Sequence, residues 1–318
     1  MIDLFSLGAE GVQKEHFSPG RVKALALKGV HLWIDLTGPS HEIVSELQGI
    51  FGLHPVTAED ILSLNTRTKI EDFKSYLFVI LYGVYKEKNV MLRELDFVLG
   101  KDFLITSHRK KIGGFERLKG EKEELTRLLR RGPDFLMHHL VDEEVDNFIP
   151  VLELLDDVID KIENSLTTKP DGTVLEKILD LKKRINKIKK KLIAQQEKIS
   201  FLAKNKYPLI SAECQTYFRD VYDHFFTVTD MIEDYKDALA SSFDAYMSSM
   251  SNRMNEIMKV LSIMATIMLP LSVISGIYGM NFSYLPGAGH PLGFWAVILG
   301  MLLLIAVMVS YFKRHRWF

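Results

Sequence analysis

Residues 260–312 read VLSIMATIMLPLSVISGIYGMNFSYLPGAGHPLGFWAVILGMLLLIAVMVSYF, 53 consecutive positions without one Asp, Glu, Lys or Arg. All 81 charged side chains of the 318-residue chain therefore fall in the other 265 positions. The ordinary averages, 47% hydrophobic and 25% charged with a net charge of -1, mix two materials suited to different solvents. A block this long and apolar would aggregate in water, which excludes a purely soluble protein. It divides into Val260 to Tyr278 (19 residues) and Leu292 to Phe312 (21 residues). Each is close to the roughly 20 residues a membrane helix needs. The 13 residues between them, GMNFSYLPGAGHP at 279–291, carry the glycines and prolines that end one helix and delay the next. Arg253 and Lys259 precede the first span, and Lys313, Arg314 and Arg316 follow the second as a basic tail over 313–318. The loop between has no Lys or Arg, so both termini are expected in the cytoplasm of a cell with this hairpin in its plasma membrane. The start, MIDLFSLGAEGVQKEHF, lacks a basic stretch followed by an apolar run, so no signal peptide is expected.

Upstream of the block the chain changes character twice. Within residues 1–132, His31 to Leu36, Tyr76 to Tyr85, Leu95 to Leu99 and Phe103 to Thr106 are rich in branched and aromatic residues, which predicts strands. Helical periodicity occupies Ser40 to Phe51 and Pro55 to Leu64, with Ser40 and Thr57 as caps. The combination predicts an α/β domain. After Gly114 the strands stop. Breaks at Gly132-Pro133, at Lys169-Pro170-Asp171-Gly172 and at Pro208 set off a helical hairpin over 133–210. Its first arm is acidic, with Asp142, Glu143, Glu144, Asp146, Glu153, Asp156, Asp157 and Asp160, and its second carries LKKRINKIKKKL at 181–192. Opposite charge favours antiparallel pairing of the arms, although single surface pairs contribute little. The near-neutral balance gives nucleic acid no footprint, and the single Cys214 permits neither an internal disulfide nor a cysteine metal site.

From Ser211 there is no proline before Pro270 and no glycine before Gly276, so a stalk over 211–259 is expected to run unbroken into the first span, 260–278. At 1.5 Å per residue such a helix reaches about 100 Å and needs partner helices along its length. Steps of four and three along it pick out Asp244, Ser248, Ser251, Asn255, Met258, Ser262, Ala265, Leu269, Ser272 and Gly276. Each is small or polar, except for the flexible apolar pair Met258 and Leu269. A repeat of about 3.5 residues keeps such a stripe facing one axis of a parallel bundle. Small residues permit close helix contact or line a water-filled path. The continuation into Asn255 and Asp244, costly to pack against apolar neighbours, favours a pore, with Met258 and Leu269 as constrictions that close by dewetting. Val260, Ile263, Ile267, Ile274 and Ile277 form the adjoining face, suited to lipid or helix packing.

The first span ends in Gly276-Ile277-Tyr278-Gly279-Met280-Asn281-Phe282. The Gly279-Met280-Asn281 triplet, followed by a second apolar helix and a basic tail, resembles the CorA family of magnesium channels. The likeness extends over His54-Pro55, Ala58-Glu59-Asp60-Ile61-Leu62, Arg67, Lys69-Ile70-Glu71, the stretch Tyr217 to His224, and Tyr246 through Asn255-Glu256-Ile257-Met258-Lys259 to Pro270-Leu271. It implies a funnel-shaped homopentamer: five long helices around the pore, second spans outside them and the α/β domains in the cytoplasm. It also implies that Gly279, Met280 and Asn281 form an outer selectivity ring for a hydrated ion. Mg²⁺ dehydrates reluctantly and prefers oxygen ligands, so a ring contacting its waters avoids the stripping cost. By the same resemblance Asp244 rings the inner pore, and Glu59, Asp60, Asp142, Asp220 and His224 bind regulatory Mg²⁺ between adjacent subunits. Loss of that ion would loosen a closed arrangement, since facing acids repel unless a cation bridges them. The sequence departs from the family's pattern at Leu285-Pro286-Gly287, where many members carry an acid in the loop.

Other functions have less to stand on. No phosphate-binding loop is present, His41-Glu42 lacks the second histidine of a zinc protease helix, and no Gly-x-Ser-x-Gly occurs, so neither an enzyme nor an organic cofactor is expected. A membrane-anchored scaffold or receptor would account for stalk and hairpin but not for the polar stripe. Co²⁺, Ni²⁺ or Zn²⁺ on the same frame remains the closest alternative to Mg²⁺; the absence of Cys and His from the stripe disfavours a tight zinc site.

Overall fold

The structure, a computed structural model of the chain, describes residues 1–63, 66–86, 90–168, 172–281, 283, 285–287, 289–315 and 317. Its elements in order are β1 (Ile2–Gly8), β2 (Gly11–Glu15), α1 (Pro19–Leu27), β3 (Leu32–Thr37), α2 (His41–Phe51), α3 (Pro55–Leu62), β4 (Lys69–Asp72), β5 (Tyr76–Lys86), β6 (Val90–Gly100) and β7 (Phe103–His108). Helices follow without interruption by strands: α4 (Gly113–Gly120), α5 (Lys122–Arg131), α6 (Pro133–Asp146), α7 (Phe148–Thr168), α8 (Gly172–Lys204), α9 (Ala212–Tyr278) and α10 (Gly293–Arg314).

The seven strands form one sheet in the order β2-β1-β3-β7-β6-β5-β4. Among the described residues only the central pair, β3 with β7, is parallel. Both faces are covered, so the inner strands are buried nearly throughout. On one face α1, α2 and α3 bring Val22, Leu25, Val44, Leu47 and Ile61 onto Leu4, Ile34, Phe78, Ile80, Val98 and Ile105. On the other, Phe115 of α4 meets Trp33 and Phe97 while α6 lies across β6 and β7.

Three strands and one helix lie outside the sequence expectations. β1 is buried on both faces and shows no alternation, β2 and β4 are short edge strands, and α1 is only nine residues long. Pairing with the far half of β5 extends β6 back from the expected Leu95 to Val90. Ser40 caps α2 as expected, its side chain accepting from the Ile43 amide. Thr57 does not cap α3: His54 does so, and the buried Thr57 hydroxyl bonds Tyr76 Oη instead. The expected end of that helix at Leu64 and the break at Lys169-Pro170-Asp171 lie outside the described residues.

Two compact units result, the first holding the sheet, the helices to α8 and α9 as far as Ser242. In it α6 and α7 run in the same direction as α9. The Asp134 carboxylate accepts from the Ser211 amide and hydroxyl, His138 meets Tyr217 and Phe218, Phe148 meets Phe225, and Ser242 Oγ donates to Glu163. The basic α8 runs the opposite way, with Lys189 paired to Glu233 and Lys204 over the Tyr222 ring. Buried residues every three or four positions, Ile178, Leu181, Ile185, Ile188 and Leu192 on α8 and Cys214, Phe218, Val221, Phe225, Val228 and Ile232 on α9, supply the seam. The second unit takes over at Phe243 and holds the rest of α9 with α10.

Candidate functional site

In the second unit both helices are long and apolar enough to cross a membrane. All ten stripe residues, Asp244, Ser248, Ser251, Asn255, Met258, Ser262, Ala265, Leu269, Ser272 and Gly276, are exposed on α9. Of the adjoining face Ile263 is buried, and Ile267 and Ile274 are half-covered, while Val260 and Ile277 stay exposed. The covered side of α10 likewise falls on one stripe: Met301, Leu304, Ile305, Met308 and Phe312. Each helix thus has one covered face, the pattern of two helices packed side by side, and the polar stripe of α9 is left outside that packing. At the end of α9 the Gly279 amide still bonds the Ser275 carbonyl (2.9 Å), whereas Met280 tightens to Ile277 (3.3 Å). Asn281 follows, exposed, just past the helix. Tyr278 Oη donates to the Pro286 carbonyl and ties the loop back. Phe282, Tyr284 and Ala288 of the expected loop, and Arg316 of the basic tail, lie outside the described residues.

In the first unit the parallel course of α6 and α9 brings Asp142, Asp220 and His224 together. His224 Nδ1 is 3.5 Å from Asp142 Oδ1 and 3.3 Å from Asp146 Oδ1, and its Nε2 is 3.9 Å from Asp220 Oδ2. Ligand atoms of Asp142, Asp146 and His224 lie within 4.8 Å of one another. Neighbouring ligands about 2.1 Å from a Mg²⁺ ion would be about 3 Å apart, so small side-chain movements complete such a set. His224 Nδ1 and Asp142 Oδ1 are screened from solvent and make no hydrogen bond. Burial and the neighbouring Asp146 charge push the Asp142 carboxyl above its usual range, outweighing the opposing effect of His224. α6 is held in place by its other side, where Tyr85 Oη donates to the buried Glu144.

Asp146 was not among the sequence candidates, although its spacing of four from Asp142 repeats that of Asp220 and His224. His138, one turn before Asp142, was missed too. Burial holds its imidazole at about 4, so it is neutral beside the cluster. Glu59 and Asp60 are not part of this group. Both sit on α3, where Glu59 is exposed on a cleft of about 370 Å³ and Asp60 Oδ2 is held by Lys69 Nζ at 2.6 Å.

A second carboxylate group is already filled. Asp3, Asp35 and Glu116 also fall within ligand distance of one another, but Lys119 Nζ lies 2.8, 2.6 and 2.6 Å from their oxygens. Asp35 is fully buried and further bonded by His108 Nε2 (3.0 Å) and Thr106 Oγ1 (2.5 Å), and Trp33 Nε1 donates to that hydroxyl. Burial pushes the Asp35 carboxyl up, but hydrogen bonding to His108 and the charges of His108 and Lys119 outweigh it and hold it below the usual range. Asp3 is likewise lowered, burial being overcome by Lys119 and Lys14. Burial alone would lower the Lys119 ammonium; Asp35, Asp3 and Glu116 raise it above the ordinary lysine value. This group needs no metal.

Comparison with known proteins agrees with the architecture. A family model described as CorA-like Mg2+ transporter protein matches residues 28–314. The cobalt/magnesium transport protein CorA of Thermotoga maritima is 36% identical over 293 residues, covering 90% of this chain and 83% of that one. The protein of the same description from Methanocaldococcus jannaschii is 31% identical over 90% of this chain and 91% of its own. The complete structure of the CorA magnesium transporter from M. jannaschii superimposes with a TM-score of 0.85 at 28% identity, covering 100% of this chain and 99% of that one. The sheet with its long helix, the two apolar spans and the match over nearly the whole length lead to one assignment: the chain belongs to the CorA-like Mg²⁺ transporter family.

Proposed function

We propose that this chain carries Mg²⁺ passively into the cell through a homopentameric channel in the plasma membrane, with both termini cytoplasmic. The observation that carries this reading is the exposed stripe from Asp244 to Gly276, away from which the covered positions of the apolar span, Ile263, Ile267 and Ile274, fall. Polar groups facing lipid are costly, so the stripe calls for further copies of the same helix around a wet axis. Asn281 and the Gly279 and Met280 carbonyls then ring the outer mouth and contact the waters of a hydrated ion. Five Asp244 carboxylates gather cations at the inner end. The driving force is the membrane potential: a divalent ion gains about 4.6 kcal/mol per 100 mV, inside negative, so no coupled chemistry is needed. Glu59, Asp60, Asp142, Asp220 and His224, joined by Asp146, hold Mg²⁺ while cytoplasmic Mg²⁺ is plentiful and keep the channel closed. Its loss frees repelling acids and opens the path. The loop has no acid at Leu285-Pro286-Gly287, so capture at the outer mouth falls to carbonyls and lipid headgroups.

Uptake of Mg²⁺ into proteoliposomes with an imposed potential tests the reading. Asn281→Ala is expected to abolish uptake while the oligomer persists, and retained selective uptake by that variant would sink the assigned role of Asn281. Co²⁺, Ni²⁺ or Zn²⁺ as cargo is the second reading, supported for Co²⁺ by the relatives described as cobalt/magnesium transport proteins. Competition of Co²⁺, Ni²⁺ and Zn²⁺ against Mg²⁺ uptake separates the two readings.

A further inference from the structure

Asp60 already has a cation beside it. Lys69 Nζ, carried on β4, sits 2.6 Å from Asp60 Oδ2 and 2.9 Å from Glu71 Oε2, and its ammonium lies 5.4 Å from the centre of the Phe78 ring. The Lys69 and Asp60 side chains are only 22% and 17% exposed, so this pair is not one of the fully solvated bridges that count for little. Each end is fixed by its frame: β4 pairs with β5 in a register that sets Lys69 against Ile80, and α3 is capped at its end by Arg109, whose guanidinium donates to the Ile61, Leu62 and Ser63 carbonyls.

We propose that Lys69 is a tethered competitor for the regulatory divalent cation at Asp60, and that Glu71 is the position to which its ammonium retreats when the cation binds. This rests on Asp60 being a regulatory ligand as read above. The ammonium takes one lone-pair direction of Asp60 Oδ2 and sets a positive charge 2.6 Å from it. A divalent ion or its bound waters must therefore approach the remaining lone pairs of Asp60 against that charge, or move Lys69 fully onto Glu71. Either way the fixed positive charge raises the Mg²⁺ concentration needed to occupy the site. A plain structural role for the ion pair makes no such demand, since losing it would only loosen the site.

The two roles differ in sign. Protease protection of the full-length protein in detergent, followed as Mg²⁺ is raised, reads the midpoint of regulatory binding. Lys69→Met keeps the apolar stem against Phe78 and removes the charge, and the midpoint is expected at about tenfold lower Mg²⁺, equivalent to about 1.4 kcal/mol. Lys69→Arg keeps the charge and should stay near the parent protein. Glu71→Gln takes away the retreat position and should move the midpoint to higher Mg²⁺, by about two- to threefold. If Lys69→Met does not assemble, the direction of the Glu71→Gln shift still decides, and a shift to lower Mg²⁺ overturns the proposal. So does a midpoint for assembled Lys69→Met that is unchanged or higher. An Asp220→Ala control keeps the two levels apart. Loss of protection there with no effect at Lys69 overturns the competitor alone, whereas unchanged protection in Asp220→Ala brings down the regulatory reading and this inference with it.

Discussion

Among the described residues of the first unit two groups of side chains are spaced to hold a cation, and they are built to opposite ends. Asp3, Asp35 and Glu116 close around Lys119, whereas Asp142, Asp146 and His224 have no lysine or arginine among them. The electrostatics are inverted: Asp3, through Lys119 and Lys14, and Asp35, through His108 and Lys119, sit below the usual carboxylate range although burial opposes it, while Asp142 sits above it. A group that carries its own cation is complete at any Mg²⁺ concentration and can anchor α4 to β1 and β3. A group without one gains a cation only from solution, and so can report on it. Asp60 lies between these cases, its ammonium being shared with Glu71.

The largest effect should come from emptying the filled group. Lys119→Met leaves Asp35 buried with only its His108 and Thr106 bonds, and breaking a buried pair by removing one partner costs about 3–5 kcal/mol. Urea unfolding followed by Trp33 emission measures it, since the indole is three polar contacts from Lys119, through Thr106 and Asp35. Lys119→Ala, which also opens space, is expected to recover part of the loss when Mg²⁺ is added. A variant that folds with parental stability would erase the distinction drawn between the two groups.

The open group should behave in the reverse manner. Asp142→Asn removes one of several clustered charges, so without divalent cations the unfolding midpoint should stay level or rise slightly. With Mg²⁺ at 100 times its Kd the parent gains about 2.7 kcal/mol, and the variant should lose most of that gain. Melting with and without Mg²⁺ reads both terms. Destabilisation of Asp142→Asn in the absence of the ion would show that the acid is paired internally after all.

How much of this was legible depended on how far apart the partners lie in the chain. The hairpin was readable because a missing charge is a local property, and the stripe because a helix turns sequence spacing directly into a face. Asp220 and His224 share one turn of α9, and the resemblance joined Asp142 to them; Asp146 needed only the same spacing of four on α6. The Lys119 group was out of reach. It draws on β1, β3 and α4, and β1 has no alternating pattern because both its faces are buried, so nothing local announced the strand that places Asp3. His54 displaced Thr57 as the cap of α3 for a related reason: Tyr76, 19 positions away, claims the Thr57 hydroxyl.

A pH series sharpens the contrast at a smaller scale. Asp3 and Asp35 have lowered values in the folded chain, so their contribution is present above the unfolded value of about 3.9 and is lost as pH falls through the folded one. Lys119 is raised, so its contribution is complete below about 10.4 and is lost as pH rises through the folded value. The stability difference between the parent and Lys119→Met should therefore be flat from about pH 5 to 9 and shrink at both ends. A slope inside that window would overturn Lys119 as the charge whose loss the comparison reads.

The smallest effect tests whether opposite charge alone, without burial, makes a group of the filled kind. Lys189 of α8 and Glu233 of α9 form the same chemical pair as Lys119 and Asp35, but Glu233 is 40% exposed and Lys236 shares it. Water can replace each partner there, and the two long side chains lose freedom to meet, so the net gain is near zero. Glu233→Gln should leave the urea midpoint within the spread of replicate melts, and added salt should make no difference to that result. If the midpoint dropped clearly, the basic face of α8 would have to be counted as an internal cation for the acidic helices. Regulation by Mg²⁺ would then compete with a whole row of lysines instead of the single ammonium at Asp60.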